Sequence, residues 1–255
     1  MNNTGSTRRF GTVALTLESP LAWLTLSRPN KLNALDRETL EGIAAAAAAI
    51  DAEPGIAAAI IDGEGSDFSA GADVRSALTG SAEERIGAIR DGAEAGRAAM
   101  TAVREMRPVT IALVHGRAIG GAMVLAAACD LRVATEDAVF WLPEVDLGIP
   151  VGWGGVPILV AELGASLARD LVLTCRRLSA PEAHRAGFIS RLVAPEEGRD
   201  AARQLGLLVA SKPAGATARS KQQFRAALAG SSSGAADAEL IVAALIESGR
   251  TGITD

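Results

Sequence analysis

The sequence predicts an α/β fold ending in a helical lobe, and three observations predict it. Two glycine-rich segments, Phe68-Ser69-Ala70-Gly71-Ala72-Asp73 and Gly116-Arg117-Ala118-Ile119-Gly120-Gly121, each follow a strand-like apolar run and each open a helix-like one. Repeated strand, tight turn and helix argue for α/β architecture, and no fixed-period repeat signals a solenoid. From about Pro195 onward the chain becomes helical in pattern and poor in strand signals.

The elements follow in order. Residues 1–9 are polar and lack the apolar stretch of a secretory signal, so they read as a disordered, frayed start. Val13 to Leu17 and Ala22 to Leu26 are short β-rich runs around Glu18-Ser19-Pro20, a hairpin-like pair closed by Arg28-Pro29-Asn30. A helix follows from about Asp36, a candidate N-cap, to Asp51; its Ala44 to Ala49 run is strong helix former rather than linker. Ile56 to Ile61 reads as a buried strand leading into the first glycine turn. A long Ala/Arg/Glu-rich helix spans about Glu83 to Met106 and is stopped by Pro108; Val109 to Val114 is the next strand. The second glycine turn opens a helix to about Cys129, and Leu131 to Ala134 and Ala138 to Trp141 are two further strands. The domain reading is a core over 10–195 and a helical lobe over 196–255, broken at Ala229-Gly230-Ser231-Ser232-Ser233-Gly234, whose packing partner is a candidate second subunit.

Composition excludes several function classes. A 255-residue chain that is 49% hydrophobic can bury a large core. A net charge of −5, no Lys/Arg block and 3% aromatic residues argue against a nucleic-acid face. No uninterrupted apolar run reaches the length of a membrane helix. Cys129 and Cys175 have no metal-ligand or CxxC spacing and read as buried free thiols of a reducing compartment, with the cytoplasm as the default.

Taken in order, five segments resemble the crotonase, or enoyl-CoA hydratase/isomerase, superfamily. They are Arg28-Pro29 with Asn33-Ala34-Leu35, then Phe68 to Asp73, then Gly116 to Gly121 with Cys129-Asp130. Pro143-Glu144-Val145-Asp146-Leu147-Gly148 and Ser179-Ala180 with Glu182-Ala183 and Gly187 complete the set. The resemblance thins after about Lys221. It implies a crotonase-like spiral of repeated ββα units, a homotrimer or dimer of trimers, and an acyl-CoA substrate, with no metal, no redox cofactor and no permanently bound group.

The resemblance also implies roles. The thioester oxygen would sit between the backbone N–H groups of Ala70 and Gly121, because proton abstraction beside a thioester places enolate charge on that oxygen. Ala70, Gly71, Ala72, Asp73, Gly120, Gly121 and Gly152 would line the ligand, and the alternative is that the glycines only permit tight turns. Arg28, Lys31 and Ala34 would meet coenzyme A, cations facing its phosphates and backbone its adenine. Glu144, in the apolar setting Phe140-Trp141-Leu142, would transfer the proton. Relatives that hydrate enoyl thioesters tend to carry a second glutamate where this chain has Val124. A single carboxylate can still move a proton from Cα to Cγ, so isomerisation leads, with one-glutamate hydration or a catalytically impaired acyl-CoA binder as alternatives. Val124 is otherwise a plain core position. Asp146 and Asp73 are weaker candidates for a second acid, Trp153 for narrowing the acyl pocket, and His115 and His184 read as structural or exposed.

Overall fold

The computed structural model describes residues 6–73, 80–228, 239 and 241–243. In chain order the strands and helices are β1 (Thr7–Phe10), β2 (Val13–Glu18), β3 (Leu21–Leu26), α1 (Arg37–Asp51), β4 (Ala58–Gly63), α2 (Ala82–Glu105), β5 (Val109–Val114), β6 (Arg117–Ile119) and α3 (Gly121–Ala128). There follow β7 (Leu131–Thr135), β8 (Val139–Trp141), α4 (Gly155–Thr174), β9 (Leu178–Ser179), α5 (Ala180–Arg185), β10 (Arg191–Val193), α6 (Gly198–Ala210) and α7 (Ala214–Leu228). The mixed α/β architecture is the one expected.

The main sheet runs β1-β2-β3-β4-β5-β7-β10, and a small sheet runs β6-β8-β9. β1, β2 and β3 pair antiparallel, whereas β3-β4, β4-β5, β5-β7 and β7-β10 are parallel. Every residue of β4 and β5 is buried, which is why Ala58 to Gly63 and Val109 to Val114 show no alternation of polar and apolar residues: a parallel sheet is covered on both faces. On one face lie Leu40, Ile43 and Ile50 of α1, Met100 and Val103 of α2, and Met123 and Leu125 of α3, packed on Leu15, Leu24 and Ile61. On the other face Ala202 and Leu205 of α6 cover Leu21, Trp23, Ile60, Ile111 and Val133.

Two differences from the sequence reading have physical causes. Thr7 to Phe10 are not frayed: β1 pairs with β2 over four residues, from Thr7 opposite Thr16 to Phe10 opposite Val13, and Arg8 reaches Glu53. Its exposed, polar face carries no hydrophobic pattern to announce it. α6, expected in the helical lobe after the core, closes the second face of the sheet, because its apolar stripe packs on residues of β3, β4 and β5. Ala229 to Gly234, expected to break the lobe, lie outside the described residues.

The caps are local and legible. The Asp36 side chain accepts from Thr39 N–H at 2.9 Å at the start of α1. Ser81 and Glu84 form a capping box at the start of α2. Asp130 accepts from the N–H and hydroxyl of Thr110 on β5 and from Lys221 Nζ of α7 at 2.6 Å, so it joins three elements. Both cysteines are free and buried, and burial pushes the Cys129 thiol up to about 12.

Candidate active site

Strand register decides where the site lies. β6 pairs in parallel with β8, Ile119 opposite Trp141, and Gly120 N–H donates to Trp141 O at 2.7 Å. Three residues beyond Trp141 the chain turns at Glu144, whose Oε1 lies 2.9 Å from the point a Cβ would occupy on Gly120. Gly120 has φ of 54°, so it alone satisfies both the turn and the approach of the carboxylate. Glu144 is half-buried, its Oε2 has no hydrogen-bond partner, and burial pushes its pKa up from the ordinary glutamate value.

The two glycine turns meet through their backbones. Ser69 N–H donates to Arg117 O and Ile119 N–H to Ser69 O. A Cβ on Gly71 would stand 2.2 Å from Ile119 O and 3.6 Å from Gly121 N, so no other residue fits there. The N–H of Gly121 begins α3 and, like the first donors of any helix, has no carbonyl within the helix to meet.

Ala70 does not fill the place expected of it. Its N–H donates to Leu32 O at 2.8 Å and is unavailable to a ligand. Leu35 N–H donates to Gly71 O and Asp73 N–H to Leu35 O, which leaves the N–H of Ala72 facing away from Leu35, with no partner among the described residues. Gly71, with φ of 83°, breaks the alternation of the extended chain: the N–H groups of Ala70 and Asp73 both face the 32–35 segment, and that of Ala72 is turned the other way. The N–H groups of Ala72 and Gly121, one from each glycine turn, are therefore without a partner among the described residues. Nothing local in the sequence separates Ala70 from Ala72, because the choice rests on pairing with residues more than thirty positions away.

A profile of the family described as enoyl-CoA hydratase/isomerase matches residues 16–245. The chain belongs to the enoyl-CoA hydratase/isomerase family. It is 36% identical over 189 residues to crotonyl-CoA hydratase of Syntrophomonas wolfei subsp. wolfei, covering 74% of this chain and 71% of the relative. It is 38% identical over 201 residues to carnitinyl-CoA dehydratase of Salmonella arizonae, covering 78% and 75%. Among solved structures, a Thermobifida fusca protein described as a putative enoyl-CoA hydratase in complex with acetoacetyl-CoA matches with a TM-score of 0.79 and 27% identity over 92% of this chain and 94% of that one.

Within this enoyl-CoA hydratase/isomerase family member, Val124 is fully buried, and its Cγ2 lies 2.8 Å from the Cβ point of Gly155. It occupies the face of α3 that follows Gly121 by one turn, and hydrocarbon packs there against the 151–155 loop. Asp146 is exposed and does not join Glu144. Gly152 is exposed, with nothing within 4 Å of its Cβ point.

The residues expected to bind coenzyme A separate into two groups. Arg28 braces its own loop: its guanidinium reaches Ala34 O at 2.6 Å, Asp36 at 3.1 Å and Asp73 at 3.5 Å. Ala34 O is thereby engaged as well, whereas Lys31 is exposed in the 3-10 turn Pro29–Lys31. Asn33 is the positioning residue that sequence reasoning passed over. It is buried, its Oδ1 accepts from Arg28 N–H, its Nδ2 donates to Glu64 O and Asp67 O, and its carbonyl accepts from Ser69 Oγ. Its signal is the left-handed backbone, φ of 53°, which asparagine tolerates better than most residues.

His115 contacts Gly65 O and His184 contacts Ile189 O, both backbone roles. A 670 Å³ cavity lies away from this site, lined by Asp130, Ile158, Lys221 and Phe224 among others, and includes none of the residues described around Glu144.

Proposed function

We propose that this chain acts on acyl-CoA thioesters, holding the enolate oxygen with the N–H groups of Ala72 and Gly121 and moving one proton with Glu144, and that its preferred reaction shifts a carbon–carbon double bond. The observation that carries this reading is the single carboxylate beside Gly120, with Val124 and no second acid one turn along α3. Family membership supplies the substrate class, since the similar proteins are described as acting on or binding coenzyme A thioesters.

The chemistry follows from the charges. Glu144, as carboxylate, takes a proton from the α-carbon of a 3-enoyl thioester. The electrons pass into a dienolate whose oxygen carries the charge, two backbone donors stabilise it, and the same carboxyl returns the proton at the γ-carbon. Each such donor contributes about 3 kcal/mol to the barrier when removed. The apolar surroundings keep the carboxylic acid formed midway from losing its proton to solvent, and the raised pKa brings Glu144 nearer to that of its carbon acid partner.

Hydration through one water held by Glu144 is the second reading, favoured by the hydratase and dehydratase names of the relatives. A 3-enoyl-CoA followed by the absorbance of the conjugated thioester separates the two, with Glu144→Gln as control. Conjugation that the variant abolishes supports isomerisation. Silence with the 3-enoyl substrate, together with 3-hydroxyacyl-CoA formed from crotonyl-CoA, replaces it with hydration.

A further inference from the structure

The indole of Trp153 lies between two glycines. A Cβ on Gly96 of α2 would meet its Nε1 at 2.3 Å and its Cδ1 and Cδ2 at 2.4 Å; a Cβ on Gly121 of α3 would meet Cζ3 at 1.9 Å. The ring thus abuts two bare backbones, its pyrrole part against α2 and its benzene part against the first residue of α3. The backbone of Trp153 is left-handed, φ of 58°, a conformation a bulky residue keeps only where its surroundings impose it. The ring is half-buried, packed against the main core, and held without a hydrogen bond from Nε1 among the described residues.

Gly121 carries one of the two free N–H groups, and its neighbour Gly120 touches Glu144. The carboxylate and the indole thus both abut the Gly120-Gly121 pair on which a thioester oxygen would be seated. We propose that Trp153 is the stop that sets acyl size, filling the space between α2 and α3 and selecting short enoyl-CoA thioesters; this rests on the acyl-CoA reading above. A longer chain must expel the ring from both glycine contacts, while a chain as short as crotonyl lies against the ring face. Gly96 is the socket: any side chain there would force the indole toward the ligand or out of the site.

Two measurements test this. The first is calorimetric binding of butyryl-CoA and decanoyl-CoA, which carry no double bond, to the unaltered protein. Tight butyryl-CoA and weak decanoyl-CoA binding is expected. Equal binding of both leaves the acyl-CoA reading standing and overturns the size stop, whereas binding of neither overturns the acyl-CoA reading and the stop with it. The second is the ratio of kcat/KM for 2-decenoyl-CoA over crotonyl-CoA, or for the matching 3-enoyl pair, in the unaltered protein, Trp153→Phe and Trp153→Ala. The ratio is expected to rise by about tenfold or more in Trp153→Ala, the scale at which a pocket discriminates hydrocarbon, with Trp153→Phe in between. A ratio unchanged across the series overturns the proposal.

Discussion

Asp67 accepts three hydrogen bonds from Arg117: Oδ1 from the backbone N–H at 3.0 Å and from Nε at 2.6 Å, Oδ2 from Nη2 at 2.9 Å. The two residues stand at the entrances of the two glycine turns, so this pair fixes the distance between the segments that carry Ala72 and Gly121. Asp67→Asn keeps the shape and removes the charge. We expect kcat to fall roughly 10- to 100-fold, because small displacements of a positioned donor are costly, while the far-ultraviolet circular dichroism stays that of the unaltered protein.

The same pair has a pH signature. Its hydrogen bonds to Arg117 lower the Asp67 pKa to about 2. Between the ordinary aspartate value of about 3.9 and that depressed value the unfolded chain binds more protons than the folded one, so stability rises with pH through this window. The urea midpoints of the unaltered protein and Asp67→Asn should differ by a constant amount at neutral pH and converge as pH falls below about 4. A gap that persists undiminished at the acid end would show that the charge of Asp67 is not what the clamp uses.

Glu144 has the opposite sign. Its folded pKa lies above the unfolded one because burial disfavours the charged form, so ionisation costs stability as pH rises through the interval between the two. Glu144→Gln is expected to lower kcat about 10²- to 10⁴-fold and to leave Tm at neutral pH unchanged or higher. The acid limb of the kcat/KM profile should sit above the pKa of an ordinary glutamate. A variant that loses both activity and stability would instead mark Glu144 as a structural residue.

Ala72→Pro deletes an N–H that the bridge to Leu35 does not use, since that bridge is made by Gly71 O and Asp73 N–H. The barrier should rise by about 3 kcal/mol with little change in the urea midpoint. If turnover is instead unaffected, the oxyanion partner of Gly121 lies elsewhere.

Val124→Glu would place a second carboxylate one turn from Gly121, against Gly155 and Val151. Hydration of crotonyl-CoA should increase relative to double-bond isomerisation, and Tm should drop, because an acid replaces packed hydrocarbon. Product analysis by chromatography reads the first effect and thermal unfolding the second. Unchanged product ratios would mean that the identity of residue 124 does not choose the reaction.

Lys221 is buried against Asp130 and also donates to Pro108 O at 2.9 Å, tying α7 to the end of α3 and the start of β5. Lys221→Met removes the cation and leaves the Asp130 carboxylate with its Thr110 partners. A loss of about 2 kcal/mol is expected in urea unfolding, the scale of a charged hydrogen bond in a partly buried setting.

By itself the sequence determined the class of fold, most of its elements and the residue that carries the proton in our reading. Asp36 and Pro108 mark helix ends through chemistry that acts within a few residues, and the buried strands β4 and β5 declare themselves as unbroken apolar runs. The ordered motifs from Arg28 to Gly187 were enough to suggest the family that the profile match over residues 16–245 shows. What only the tertiary structure decided are relations between distant segments. Which N–H of the first glycine turn is free depends on Leu32 and Leu35 pairing with it, and that Arg28 is engaged by Asp36 and Asp73 depends on loops brought together by Asn33. β1 and α6 escape a local reading because Thr7 to Arg9 of the one are exposed and polar and the other buries a stripe whose partner face belongs to strands far earlier in the chain. Trp153 becomes a feature of the site only because Gly96 and Gly121, distant from it in sequence, leave room on either side of its ring. Local hydrogen bonding and side-chain spacing write secondary structure into a sequence, whereas the direction of a backbone donor and the emptiness beside a glycine are set by whatever segment packs against them.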